Sequence, residues 1–160
     1  MSYPGETGEI SAVLRSANEV EQVTFKTTGT VARFVAPGSA TRSQFGLFEW
    51  NMQPRTGGSG GHFHRGFSES FFVTSGTVQL YNGQNWTDAR VGDFLYVPEG
   101  GIHGFRNESD GPTSMLILFA PAPPRELYFR ELADIAASGR ELTREEWVEL
   151  WARHDQYAVD

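Results

Sequence analysis

Short runs of β-branched and aromatic residues follow one another from Val20 to about Phe119, and they constrain the fold more than any other feature. Gly, Pro, Asn and Asp interrupt these runs at short intervals, which is typical of strands joined by turns. The sequence therefore predicts an all-β fold, an antiparallel sandwich or barrel. Between two of the runs, Ser75-Gly76 predicts a hairpin, because glycine accepts the positive φ that tight turns need.

The pattern changes at the prolines between residues 121 and 124, which end the last strand. The stretch RELYFRELADIAASG that follows has helical spacing, with Gly139 as its C-cap. Thr143 and Glu146 have the spacing of a capping box and predict a second helix. One face of that helix carries Trp147, Leu150, Trp151 and His154.

These patterns divide the chain into three predicted parts, which are an N-terminal arm (1–18), a β-barrel domain (19–121) and a C-terminal helical extension (122–160). A length of 160 residues suits one buried core. No apolar run approaches the roughly 20 residues of a membrane-spanning helix, so we predict no membrane insertion. The start MSYPGETGEI lacks the features of a secretory signal, so we expect a cytoplasmic protein.

The absence of cysteine and the excess of acidic over basic residues restrict the reactions and partners that we expect for this chain. The sequence contains no cysteine, which excludes disulfides, thiolate metal sites and cysteine nucleophiles. Any metal must therefore be bound by nitrogen and oxygen. The formal charge is −7 and the basic residues do not cluster, so nucleic acid is not an expected partner.

Three of the four histidines lie in strand-like segments. His62 and His64 are two residues apart, which places both imidazoles on one face of an extended strand. Glu69 begins the next run, and its carboxylate can add an oxygen ligand, while His103 can complete the set from a distant strand. A His-x-His pair by itself does not distinguish a metal site from two surface histidines.

The spacing of these residues resembles the two motifs of the cupin superfamily. The first is His-x-His, four residues, Glu, six residues, Gly, and it is matched by His62, His64, Glu69 and Gly76. The second is Gly, five residues, Pro-x-Gly, two residues, His, three residues, Asn, and it is matched by Gly92, Pro98, Gly100, His103 and Asn107. One departure is Thr56, where the family usually has glycine.

The resemblance implies a monocupin, that is, one double-stranded β-helix (jelly roll) barrel, here with two C-terminal α-helices. It also implies one divalent metal bound by His62, His64, Glu69 and His103. Such ligands suit Fe, Mn, Ni, Co, Cu or Zn and disfavour Ca and Mg, without choosing among the first six. Cupins commonly pair through sheet edges and an arm, so we expect a homodimer.

Strand alternation predicts which side chains share the cavity with the ligands. If Glu69 points inward, Phe71 and Val73 do too, and the same parity from His103 directs Phe105 inward. Between residues 47 and 52 either alternate set can face the cavity. Aromatic residues form 13% of the chain, which favours a flat apolar or aromatic ligand over a sugar phosphate, whose capture needs Arg, Lys or a helix N-terminus.

Three functions fit this pattern. The first is an O₂-dependent dioxygenase that resembles the flavonol-cleaving, quercetinase-like cupins and acts on a small aromatic or enolic molecule, with Glu69 as catalytic base and ligand. The second is a non-redox metal enzyme, an isomerase, lyase or cyclase. The third is a non-enzymatic cupin that binds a small molecule, because a fold does not by itself determine a function.

Overall fold

The structure is a computed structural model that describes residues 2–159. The first part of the chain contains two short 3₁₀ helices (Ala17–Glu19 and Gly38–Ala40), and two α-helices lie near the C-terminus, α1 (Arg125–Ser138) and α2 (Arg144–Arg153). The strands are β1 (Gln22–Phe25), β2 (Thr30–Ala36), β3 (Gly46–Met52), β4 (Thr56–Gly57), β5 (His62–Phe63), β6 (Ser68–Ser75), β7 (Thr77–Tyr81), β8 (Trp86–Arg90), β9 (Phe94–Val97), β10 (Gly104–Asn107), β11 (Thr113–Ala120) and β12 (Tyr157–Ala158). No helix in the described part of the chain is long and apolar enough to cross a membrane.

The strands form two main antiparallel sheets. One has six strands in the order β1-β2-β3-β11-β6-β9, and the other has four in the order β4-β10-β7-β8. A two-stranded sheet pairs β5 with β12. The predicted antiparallel β fold with two helices is therefore confirmed, but across residues 2–159 the strands form separate sheets rather than one closed barrel.

The predicted hairpin at Ser75-Gly76 is wrong. Strand β6 pairs with β11 and β9, whereas β7 pairs with β10 and β8 in the other sheet. Gly76 has a φ of +70° and turns the chain from one sheet into the other. A turn residue reports that the chain reverses, but the strand partners are chosen by long-range pairing, here Phe71 of β6 opposite Ile117 of β11.

Replacing Gly76 by alanine is expected to lower the free energy of unfolding by about 2 kcal/mol, because alanine is strained at positive φ. A Cβ atom at this position would also lie 2.7 Å from the carbonyl oxygen of Pro112. Gly111→Ala is the matched control, since a Cβ there meets no atom within 4 Å. Denaturant unfolding measures both variants, and equal losses would contradict this account of the turn.

The core lies between the two main sheets and continues beneath α1. The apolar side chains Phe48, Trp50 and Met52 of β3 are buried, which settles the face that the sequence left open. The Phe48 ring contacts Phe34 of β2 and Phe129 of α1, with ring centroids 5.5 and 5.2 Å away. Aromatic packing therefore joins the six-stranded sheet to the first helix.

The predicted cap residues are found at the end of α1 and at the start of α2. Gly139 follows α1 in the left-handed conformation, with a φ of +71°. At the start of α2, the backbone N–H of Glu146 donates to the Thr143 hydroxyl, and the Thr143 N–H donates to the Glu146 carboxylate. Leu150 is buried, while Trp147 and Trp151 stack on each other half-buried against the core. Helix α2 thus packs on the β-domain through its apolar face.

Candidate metal centre

Four side chains from three segments of the chain meet in one place. His62 begins β5, His64 follows two residues later, and Glu69 is the second residue of β6. His103 lies just before β10 and faces His62 across an isolated β-bridge, with backbone N–H···O distances of 3.0 and 2.9 Å. This bridge brings the two sequence motifs together.

The four predicted ligands form one buried cluster. One nitrogen or oxygen atom of each residue lies within 4.8 Å of the corresponding atoms of the others. All four residues are buried. The structure thus assembles the complete set of His62, His64, Glu69 and His103 that the motif spacing implied.

Each imidazole is held through its Nδ1 atom by a backbone carbonyl. The partners are Gly60 for His62 at 2.8 Å, Asp155 for His64 at 2.6 Å and Gly101 for His103 at 2.9 Å. A carbonyl only accepts, so we assign the proton to Nδ1 in all three rings. The three Nε2 atoms are therefore left for an ion, which is the usual arrangement of histidine ligands.

The cluster needs a positive charge at its centre. The Nε2 atoms of His64 and His103 each lie 2.9 Å from Oε2 of Glu69. Two lone pairs directed at a carboxylate oxygen repel it unless a proton or a metal ion lies between them. The donor set thus fits a cation, and its nitrogen-rich composition fits a transition metal better than Ca or Mg.

The titration of these groups follows from the same contacts. Burial acts to raise the pKa of Glu69, but hydrogen bonds from His103 and His64 overcome it and hold the pKa well below its usual range. Burial lowers the pKa of His62 to about 3. Burial also acts to lower the pKa of His103, but Glu69 outweighs it and the pKa is raised. A metal ion therefore meets an ionised Glu69 and a neutral His62.

The cluster adjoins a cavity of about 290 Å³, whose wall includes His62 and Glu69. Four aromatic side chains of the wall come from the strands, namely Phe25, Trp50, Phe105 and Phe119. Four more come from the helices, namely Tyr128, Phe129, Trp147 and Trp151. This volume is near the lower end of the usual range for small-molecule sites, and the lining is mostly apolar as in most of them.

The predicted pocket residues take two different places. Phe105 lines the cavity. Phe71 and Val73 point to the same side of β6 as Glu69, but they are fully buried and do not line this cavity. They lie two and four residues further along the strand than Glu69, where the two sheets pack directly on each other.

The C-terminal extension contributes more to the site than its sequence suggested. Strand β12 pairs with β5, so that Tyr157 lies opposite Phe63 beside the first histidine. The Asp155 carbonyl accepts from His64, and its carboxylate accepts from the backbone N–H groups of Arg65 and Gly66. No motif marks Asp155 in the sequence, because its role depends on where the chain returns after α2.

Arg125 was also missed from the sequence. It is the first residue of α1, is 4% exposed, and lies on the cavity wall. An arginine after a run of prolines has no pattern that separates it from a surface residue at a helix start. The aromatic composition favoured an apolar or aromatic ligand. The cavity wall nevertheless contains an arginine, which is a group that can bind an anion.

Comparison with known proteins gives the same fold. Residues 48–119 match the cupin domain model. None of the curated proteins compared with the chain matches it. Among solved structures, a cupin-superfamily sugar phosphate isomerase from Silicibacter pomeroyi is 24% identical, with a TM-score of 0.56 over 66% of this chain and 73% of that one.

Two further solved structures are similar at lower identity. KdgF from Halomonas sp. is 15% identical, with a TM-score of 0.62 over 72% of this chain and 99% of that one. The polyketide cyclase RemF from Streptomyces resistomycificus is 20% identical, with a TM-score of 0.58 over 71% and 83%. At such identities the likeness concerns the fold alone.

The match over residues 48–119 identifies a cupin domain in this chain, and the similar solved structures have the same fold. The buried histidine and glutamate cluster inside this domain is a candidate metal site.

Proposed function

We propose that the protein is a metal-dependent enzyme that acts on a small aromatic or enolic molecule, with O₂ as co-substrate. The observation that carries this proposal is the direct contact between the buried cluster and a cavity walled by eight aromatic side chains. Aromatic walls suit a planar substrate, and the cluster provides a place to activate it.

The metal would be bound by His62, His64, Glu69 and His103, in the order in which the motifs present them. A bound ion would supply Lewis-acid activation of a substrate oxygen and, for a redox-active ion, a site for O₂. Of the six candidate ions, Fe, Mn, Ni, Co, Cu and Zn, the first five include redox-active forms and zinc does not. The identity of the metal therefore bears directly on the reaction.

Glu69 is proposed as the catalytic base. Both of its imidazole contacts use Oε2, so Oε1 is the atom that would take a proton from a substrate hydroxyl. The low pKa of Glu69 keeps the carboxylate ionised but makes it a weak base, so removal of the proton would also need a bound ion that acidifies the substrate hydroxyl. The rings of Phe105, Trp147 and Trp151 on the cavity wall exclude water from the resulting enolate.

A second candidate is non-redox chemistry at the same site, by an isomerase, lyase or cyclase. Glu69 supports this candidate as well as the dioxygenase. A base that removes a proton from a bound substrate can return it to a carbon atom of the same substrate, and this step needs no O₂. A third candidate, a non-enzymatic cupin that binds a small molecule, needs the cavity alone.

Oxygen uptake distinguishes these candidates. Protein reconstituted anaerobically with each of the six ions is mixed with quercetin and with simple enolic aromatic compounds, and O₂ and substrate are followed together. Stoichiometric loss of both supports the dioxygenase. Substrate conversion by the zinc form without O₂ supports non-redox chemistry. Binding without conversion by any form would contradict both enzymatic proposals.

The homodimer remains a prediction. The outer face of the six-stranded sheet exposes Phe72, Phe94 and Tyr96, and the N-terminal arm exposes Val13 and Leu14. Contiguous exposed apolar side chains are typical of protein interfaces. These two surfaces support a dimer of two copies of this chain.

A further inference from the structure

The cavity wall contains a buried positive charge, and the carboxylates of Glu69 and Asp155 act on it only from beyond ion-pair distance. The guanidinium of Arg125 is 4% exposed and lies among the rings of Phe67, Phe119, Tyr128 and Phe129. Within residues 2–159 it forms no ion pair. A buried charge is costly unless it is paired, so an unpaired one beside a cavity indicates an anionic partner that enters from outside.

The hydrogen bonds of Arg125 leave part of the group without a partner. Its Nη1 donates to the carbonyl of His154 and its Nη2 to the side chain of Gln156, both at 3.1 Å. Its Nε has no acceptor in the described structure. The two bonds hold the guanidinium in place and leave its buried Nε–H as a donor without a partner.

Two further residues of the cavity wall also have a buried polar atom without a hydrogen-bond partner in the described structure. Trp50 and Ser59 both line the cavity, and the indole Nε1 and the hydroxyl Oγ of these residues are buried without a partner in residues 2–159. Buried polar groups are normally hydrogen-bonded, and an unpartnered one calls for an explanation. Three unpartnered donors on one cavity wall are explained together by a ligand rich in acceptors.

The charge of the wall points the same way. Among the described residues of the wall, Glu69 is the only acidic one, and its Oε2 already lies 2.9 Å from the Nε2 atoms of His64 and His103. Arg125 also begins α1, where the helix dipole adds a partial positive charge. The chain as a whole carries a net charge of −7, so a buried arginine on this wall is a local feature of the site and not a general property of the surface.

We propose that the cavity binds an aromatic carboxylate, with Arg125 as the residue that recognises the carboxylate group. The aromatic side chains hold the ring of the ligand, and the Nε–H of Arg125 pairs with its carboxylate. Arg125 is the one Arg or Lys on this wall within the described part of the chain. A monoanion suits one such cation better than a phosphate dianion does, because a phosphate usually engages several cations or a whole helix terminus. This substrate class rests on the proposed function, because the proposed reaction requires the ring of the bound carboxylate to lie against the cluster.

Calorimetric titration of the metal-free protein with 3-phenylpropionate and with its neutral amide, 3-phenylpropanamide, tests this inference. The two probes have the same shape, so any difference reports the charge. We expect the acid to bind at least about tenfold more tightly, as for a charge-assisted hydrogen bond in a buried site. Equal affinities in the unaltered protein would overturn the proposal.

Variants on the first helix assign the effect to its residue. Arg125→Met is expected to abolish the preference for the acid, whereas Arg130→Met on the same helix, where Arg130 pairs with Glu21, should keep it. If Arg125→Met does not fold, Arg125→Lys replaces it, and loss of most of the preference is expected because lysine lacks the planar Nε–H. An unchanged preference in the Arg125 variant would overturn the assignment.

A third probe distinguishes the anion. Phenyl phosphate is expected to bind no more tightly than 3-phenylpropionate, and much tighter binding would overturn the carboxylate class in favour of a phosphate. Because these titrations use metal-free protein, their outcome is independent of oxygen uptake. Preference for the acid without any turnover would contradict the proposed reaction alone, and turnover of a neutral substrate without this preference would contradict the carboxylate site alone.

Discussion

Replacing His103 by alanine is expected to abolish stoichiometric metal binding. The Nε2 atom of His103 lies 2.9 Å from Glu69, and its ring packs 4.3 Å from that of His62, so its removal opens the centre of the cluster. Loss of a residue that merely orients a ligand already weakens metal binding by about 10- to 100-fold, and loss of a ligand is expected to exceed about 100-fold. Elemental analysis of protein purified without a metal-affinity column and then reconstituted measures the effect.

His154→Ala is the matched control for this experiment. His154 lies outside the cluster, where its Nε2 is 2.7 Å from the Glu131 carboxylate. It is also beside the C-terminal segment, so its replacement tests for general disturbance of that region. The variant is expected to retain about one metal per chain. Equal metal content in the two variants would show that the cluster is not the binding site.

Replacing Phe48 by alanine is expected to lower the free energy of unfolding by about 3–5 kcal/mol. The side chain is fully buried, and its ring contacts Phe34, Phe119 and Phe129 at centroid distances of 5.5, 5.6 and 5.2 Å. Alanine would leave a cavity where the six-stranded sheet meets α1. Chemical denaturation followed by tryptophan fluorescence measures the loss.

Phe45→Ala controls for the change of residue type. Phe45 precedes β3 and is 38% exposed, so its removal leaves no internal cavity. We expect a loss below about 1 kcal/mol for this variant. A small effect of Phe48→Ala, comparable with that of the control, would contradict the central position of this ring in the core.

Local rules explain the parts of this fold that the sequence predicted well. The helices follow 3.6-residue periodicity and end at groups that satisfy their own backbone, such as Gly139 and the Thr143 capping box. Strand alternation placed Phe71, Val73 and Phe105 on the buried side. These features depend on residues that are close in the chain, so a sequence displays them directly.

The metal ligands form an intermediate case. His62 and His103 are 41 positions apart, and no local rule joins them. The motif spacing nevertheless predicted that these four side chains lie together, because a resemblance to a family carries the long-range arrangement that residue chemistry alone does not. Their common Nδ1 contacts with carbonyls became visible only in three dimensions.

The sequence was enough to predict the strands, the two helices, the buried side of β6 and the four residues of the cluster, but it left the buried face of β3 open. Only the tertiary structure decided that β6 and β7 lie in different sheets, that β12 returns to pair with β5, and that Arg125 reaches the cavity beside Glu69. The difference lies in how far apart in the chain the interacting residues are. Periodicity and capping act between neighbours in the chain, whereas strand partners and cavity walls result from packing between distant segments, where burial and pairing over the whole molecule outweigh local preference.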